Sequence, residues 1–158
     1  MMHARAFIFL AEGFEEIEAI APADILRRST REVKLVSISN TLEVRSAHQI
    51  TIKADMTWET FVSQYAESLN ENREKTALVF PGGLPGAENL AACAPLMELA
   101  KKHWAENGLL CAICASPGTI LPNSPLQVRN SLAIPDLKKT PLLAVLHTPV
   151  KPVQKMRT

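Results

Sequence analysis

The chain has 158 residues, 47% hydrophobic and 21% charged: one domain's worth of sequence, apolar enough to bury a core and too apolar for a disordered protein. A net charge of +1 makes no case for nucleic acid, and three cysteines make no disulfide framework. The longest apolar runs are about half a membrane span, and the first of them, ending at Leu10, leads into Glu12, Glu15 and Glu16 rather than a cleavage site. No membrane segment and no signal peptide are therefore expected, and a reducing, cytoplasmic setting is.

The elements alternate. Ala4 to Leu10 is a short apolar run of the kind buried on both faces of a parallel sheet. Glu12-Gly13 is a turn, and Phe14 to Arg28 has helical spacing, with Pro22 expected to kink or break it. Val33 to Ser37 is a second strand; Leu42 to Arg45 and Gln49 to Ile52 read as a small ribbon. Trp58 to Leu69 is helical, Thr76 to Phe80 a strand stopped by Pro81-Gly82-Gly83, and Pro95 to Glu106 a helix opened by proline. Leu109 to Ile113 is another buried strand, and Ala115 to Leu121 starts a helix. This pattern predicts an α/β domain with a mostly parallel sheet, whose ligands sit at the C-terminal ends of the strands.

Three loops fall at such ends. In the third, a strand runs straight into Cys114 and then Ala115-Ser116-Pro117-Gly118. A cysteine at a sharp strand-to-helix turn is forced into the crevice, and the helix start favours thiolate and predicts a lowered pKa. The plain alternative is a small buried hydrophobe, the common fate of a free cysteine. Cys111 makes a C-x-x-C spacing with Cys114, but it lies inside the strand and is not read as a redox partner; Cys93 reads as packing. No second ligand pair has zinc spacing, so no metal is expected. The second loop, Pro81 to Gly86, has neither the P-loop lysine nor a full dinucleotide fingerprint, so no nucleotide cofactor is expected. Its glycines suit backbone N–H donation to a reacting oxygen, or an ordinary turn. In the first, Glu15 and Glu16 fit a solvated helix start. Glu18 lies on the face of Phe14, Ala21 and Pro22, where burial raises a carboxyl pKa and lets it hold a proton.

The segments Leu10 to Glu18, Val79 to Leu90 and Ala112 to Gly118, in this order and spacing, resemble the DJ-1/ThiJ/PfpI superfamily over residues 4 to about 121. The match is to its DJ-1 branch: Ala115 stands where the protease-like branch places histidine, and the downstream His-x-Glu of class I glutamine amidotransferases is absent. The resemblance implies a flavodoxin-like three-layer α/β sandwich, a homodimer and no cofactor. It makes Cys114 the reactive, readily oxidised cysteine, Glu18 the protonated glutamate bonded to it, and the N–H groups of Gly83 and Ala115 the oxyanion pair. Arg28 and His48 fall where the family has polar residues at the rim of the site. The implied activity is cofactor-independent conversion of methylglyoxal-type aldehydes to hydroxy acids, or protein deglycation. The alternatives are a redox-sensing, chaperone-like stress protein and an inactive, truncated member.

Composition breaks near Gly118. Residues 1–118 hold 15 acidic and 11 basic side chains, whereas residues 119–158 hold one acid, six bases and no glycine. The family's next strand, its Ser-Arg-Gly-Pro-Gly-type turn and its final helix are not recognisable. The domain is therefore read as 1–121 and truncated, with 122–158 an atypical basic, proline-rich tail that leaves one sheet face bare. Codons exist for Ser131 to Lys138 that, read from the third base, give Ser-Cys-Tyr-Pro-Gly-Phe-Glu, a run typical of bacterial DJ-1-like proteins here. A frame shift is preferred over a genuine divergent tail. Resequencing the gene between the codons for Ile120 and Lys139 tests this: an extra or missing base is expected, and an unchanged reading makes the tail real.

Overall fold

The computed structural model describes residues 4–29, 32–71, 75–120 and 143–146; the tail at 122–158 lies outside the described residues except for one short strand. The elements in order are β1 (Arg5–Leu10), α1 (Glu16–Arg28), β2 (Glu32–Ser37), β3 (Glu43–Arg45), β4 (Thr51–Lys53), β5 (Met56–Thr57), α2 (Trp58–Glu71), β6 (Thr76–Phe80), α3 (Gly86–Ala92), α4 (Ala94–Ala105), β7 (Leu109–Ile113), α5 (Ser116–Ile120) and β8 (Leu143–Leu146). The main sheet has the order β5-β2-β1-β6-β7-β8. All its pairs are parallel except the last, where β8 runs antiparallel along β7 with Leu143 opposite Ile113. β3 and β4 form a separate antiparallel ribbon.

Period-two alternation divides each central strand between two cores. Phe7 and Phe9 of β1, Leu78 and Phe80 of β6, and Leu110 and Ala112 of β7 enter one core with Phe61 and Leu69 of α2 and Leu96 of α4. Ala6, Ile8 and Leu10 of β1 and Val79 of β6 enter the other with Ala19 and Ala23 of α1. Helices thus cover both faces in a flavodoxin-like sandwich. Among the described residues, no helix is long and apolar enough to cross a membrane. α1 does not reach across its whole face. It leaves an open apolar groove of about 720 Å³ lined by Ile17, Ile25, Ala77, Val79 and Cys111.

The predicted helix from Phe14 begins instead at Glu16. Phe14 is wholly buried, bridges Ser46, and its carbonyl accepts from Ala47 N at 2.8 Å. Pro22 does not break α1, which runs on to Arg28; it removes only the N–H that would have reached the Glu18 carbonyl. β5 and α3 had no clear sequence signal: the first has two residues, and the second follows a Gly-Pro-rich loop that reads as a turn.

Phe61 anchors the larger core, its ring meeting Phe7 at 4.9 Å, Phe9 at 5.4 Å and Trp58 at 5.6 Å. Phe61→Ala is expected to cost about 3–5 kcal/mol in denaturant unfolding; a loss below about 1 kcal/mol would contradict this packing.

Candidate active site

β1, β6 and β7 are adjacent and parallel, so their C-terminal ends share one sheet edge. From β1 the chain first lays β2 on one side and later β6 on the other. The crevice between β1 and β6 is thus the topological switch point, where open parallel sheets bind ligands. The three loops singled out in the sequence meet there. Glu15 N donates to Gly82 O at 2.9 Å, Gly86 N to Gly13 O at 3.1 Å, and Ser116 Oγ to Pro81 O at 2.6 Å.

Cys114 follows the last residue of β7 and has φ +59°, a left-handed conformation that is strained for a residue with a Cβ. This is the sharp turn the spacing predicts, and it leaves the side chain half-buried in the crevice. The N–H groups of Gly83 and Ala115 and the carboxyl of Glu18 all act on the sulfur. The expected lowering of the thiol pKa is not found. Burial pushes Cys114 up, the charge and hydrogen bonding of Glu18 push it further, and the two N–H groups only pull it partly back. The dominant neighbour is an acid.

Glu18 sits in the first turn of α1. The Glu15 side chain caps this helix by accepting from Glu18 N at 2.8 Å. In a capping box the acid three residues on reaches back to the cap N–H. Here the Glu15 N–H goes to Gly82 O, and Glu18 Oε2 accepts from Gly82 N at 2.7 Å. Glu15, Glu18 and Gly82 therefore form a reciprocal junction between α1 and the second loop. Burial raises the Glu18 pKa, and the charge of Glu15 adds to the rise; the Gly82 N–H and Cys114 oppose it. Oε2 thus accepts from the Gly82 N–H, and the same carboxyl interacts with the Cys114 thiol. The carboxyl and the thiol titrate as a pair.

Sequence reasoning missed Gly82. A Cβ there would lie 2.7 Å from Cys114 Cβ and 2.7 Å from Glu18 Oε2, so only glycine lets the two groups approach. Gly83, with φ +86°, has its own constraint: a Cβ would meet Glu15 N at 2.5 Å. The signal was the Gly82-Gly83 pair itself, read only for its second member.

The two rim candidates are not gathered onto the sulfur by this chain. Arg28 ends α1, about 15 Å along the helix from Glu18, and pairs with Asp24 at 2.9 Å in an exposed contact. His48, on the loop between β3 and β4, pairs through Nδ1 with Glu16 Oε1 at 2.9 Å. Burial pushes Glu16 up, but its own backbone N–H, Ser46 and His48 outweigh this and hold its carboxyl below the usual range. Glu15, Glu16 and His48 offer ligand atoms within 4.8 Å of one another and are the described residues best placed to hold a cation. Cys111 faces the apolar groove, not the crevice, and burial raises its pKa to about 11.

Comparison with known proteins agrees with this architecture. The family model for the DJ-1/PfpI family matches residues 4–144, past the boundary near 121 and into β8. Protein DJ-1 homolog A of Arabidopsis thaliana is 35% identical over 127 residues, covering 80% of this chain and 30% of the relative. The glutathione-independent glyoxalase DJR-1.2 of Caenorhabditis elegans is 35% identical over 112 residues, covering 70% of this chain and 53% of the relative. The solved structure of oxidized Toxoplasma gondii DJ-1 superposes with a TM-score of 0.65 at 33% identity, covering 75% of this chain and 59% of that one. The chain thus spans about a third to three fifths of these relatives' lengths. It belongs to the DJ-1/PfpI family, in the DJ-1 branch.

Proposed function

We propose that this protein converts methylglyoxal-type dicarbonyls to hydroxy acids without a cofactor, with Cys114 as nucleophile and Glu18 as acid/base. The observation that carries the reading is the half-buried thiol on a strained turn, beside a carboxyl whose pKa is raised and which interacts with it. The worm relative named as a glutathione-independent glyoxalase supports the same class. Protein deglycation uses the same attack on an aldehyde-derived carbon.

The thiol proton passes first to the Glu18 carboxylate beside it, and the raised thiol pKa makes this the step that needs help. Cys114 thiolate then adds to the aldehyde carbon, giving a hemithioacetal whose oxyanion takes the N–H groups of Gly83 and Ala115. Glu18 gives its proton to that oxygen; the freed carboxylate then removes the proton from the carbon and returns it to the neighbouring carbon, the former ketone, while the hydroxyl proton passes to the former ketone oxygen. The product is a thioester, and water releases the hydroxy acid and the thiol. The only reactants are the dicarbonyl and water, and the redox change is internal to the substrate.

The second reading is a redox sensor in which peroxide oxidises Cys114 to sulfinate, held by Glu18, with no turnover. It is favoured by the oxidized state of the related Toxoplasma gondii structure. In either reading we place the site in the domain of residues 1–121 and propose a homodimer. Ile17 and Ile25, 67% and 64% exposed on α1, supply apolar surface for a partner.

The test is lactate formation from methylglyoxal by the purified chain. Lactate is expected from the parent, with a loss of at least a hundredfold in Cys114→Ser. No lactate from a cooperatively folded parent, together with a gain of two oxygens at Cys114 in mild peroxide, overturns the enzyme reading in favour of the sensor.

A further inference from the structure

We propose that Ser116 is a positioning residue for the Cys114–Glu18 pair, acting through the peptide plane between Pro81 and Gly82. The proposal rests on the catalytic reading of that pair.

Ser116 is fully buried, and its hydroxyl donates to the Pro81 carbonyl at 2.6 Å. The N–H of the same amide, that of Gly82, donates to Glu18 Oε2 at 2.7 Å. One rigid amide is therefore gripped at both poles, and a turn of its plane breaks both bonds. An amide polarised at its oxygen is also a better donor at its nitrogen, so the serine strengthens the bond that fixes Glu18. The consequence reaches the sulfur by two routes. The grip holds the Glu18 carboxyl in its orientation beside Cys114. It also holds in register the loop that carries the Gly83 N–H, one of the two backbone groups acting on the sulfur. Ser116 lies two residues beyond Cys114, so the same hydroxyl ties the nucleophile's turn to this loop.

A serine here for helix capping alone would aim its hydroxyl at its own helix. Instead it is spent on a carbonyl 35 residues away in sequence. The titratable groups facing the pair are Glu15, whose charge acts on Glu18, with Glu16 and His48 beyond it. None of them contacts the Pro81 carbonyl in a hydrogen bond among the described residues.

The experiment is Ser116→Ala in a Cys93→Ser, Cys111→Ser background, read by the ultraviolet thiolate absorbance of Cys114 against pH. Losing the grip changes how Glu18 and the Gly83 N–H act on the sulfur, so the midpoint is expected to move by about half a unit or more. kcat for methylglyoxal should fall about tenfold with KM within about twofold. In a Glu18→Gln background the same change should move the midpoint much less, because the main route runs through that carboxyl. A midpoint within about 0.2 unit of the parent overturns the proposal. So does a variant that no longer melts cooperatively, which gives Ser116 a structural role only. The titration needs no substrate. A parent that makes no lactate but whose thiolate shifts on Ser116→Ala sinks the dicarbonyl reading and leaves the positioning role standing.

Discussion

The hydrogen bond from Gly82 N to Glu18 Oε2, 2.7 Å long, fixes the chemistry of this crevice. A carboxyl near a thiol has two oxygens and can present either. Once a backbone donor holds one, the carboxyl is fixed in its orientation beside the thiol. That bond fixes the orientation of an acid whose pKa burial raises, beside the thiol it interacts with. It also explains why Cys114 is not simply activated. The same carboxyl, when ionised, pushes the thiol pKa up, so the two groups compete for protons and neither has a pKa of its own.

The bond depends on close approach of three loops, and that approach is a product of topology. Parallel strands place all their C-terminal ends on one edge, and the reversal of strand order at β1 opens a crevice there. Gly82 has no room for a Cβ against Cys114 and Glu18. Pro22 leaves α1 intact but frees the carbonyl of Glu18 from its helical partner. Each feature is local, and together they bring a helix start, a glycine loop and a strained turn within hydrogen-bond reach. The cost appears in φ +59° at Cys114, a conformation most residues avoid.

Much of this was legible in the sequence. β1, β6 and β7 announce themselves as apolar runs stopped by glycine, proline or cysteine, and the order of three motifs identified the family. Cys114 and Glu18 were chosen from chain position and helix face, and the structure brings them together. What was not legible depends on contacts between distant segments. No pattern in Pro81-Gly82-Gly83 says which glycine touches the acid, and Ser116 reads as a helix start until its hydroxyl is seen on Pro81. The lowered thiol pKa failed for the same reason: helix proximity is a local signal, whereas the burial that outweighs it is tertiary and the acid that adds to it lies 96 residues away in sequence. Arg28 and His48 were carried over by resemblance, and within a single chain they pair with Asp24 and Glu16 instead.

The central claim is that burial raises the Glu18 pKa in the folded protein and that this carboxyl and the Cys114 thiol act on one another. Carbon-13 labelling of glutamate carboxyls, with Glu18 assigned by its loss in Glu18→Gln, measures this directly by following the resonance against pH. Burial predicts a Glu18 midpoint above the ordinary glutamate range, and coupling predicts that it moves when Cys114 is replaced by serine. A midpoint at or below the ordinary range, indifferent to Cys114→Ser, would contradict the account.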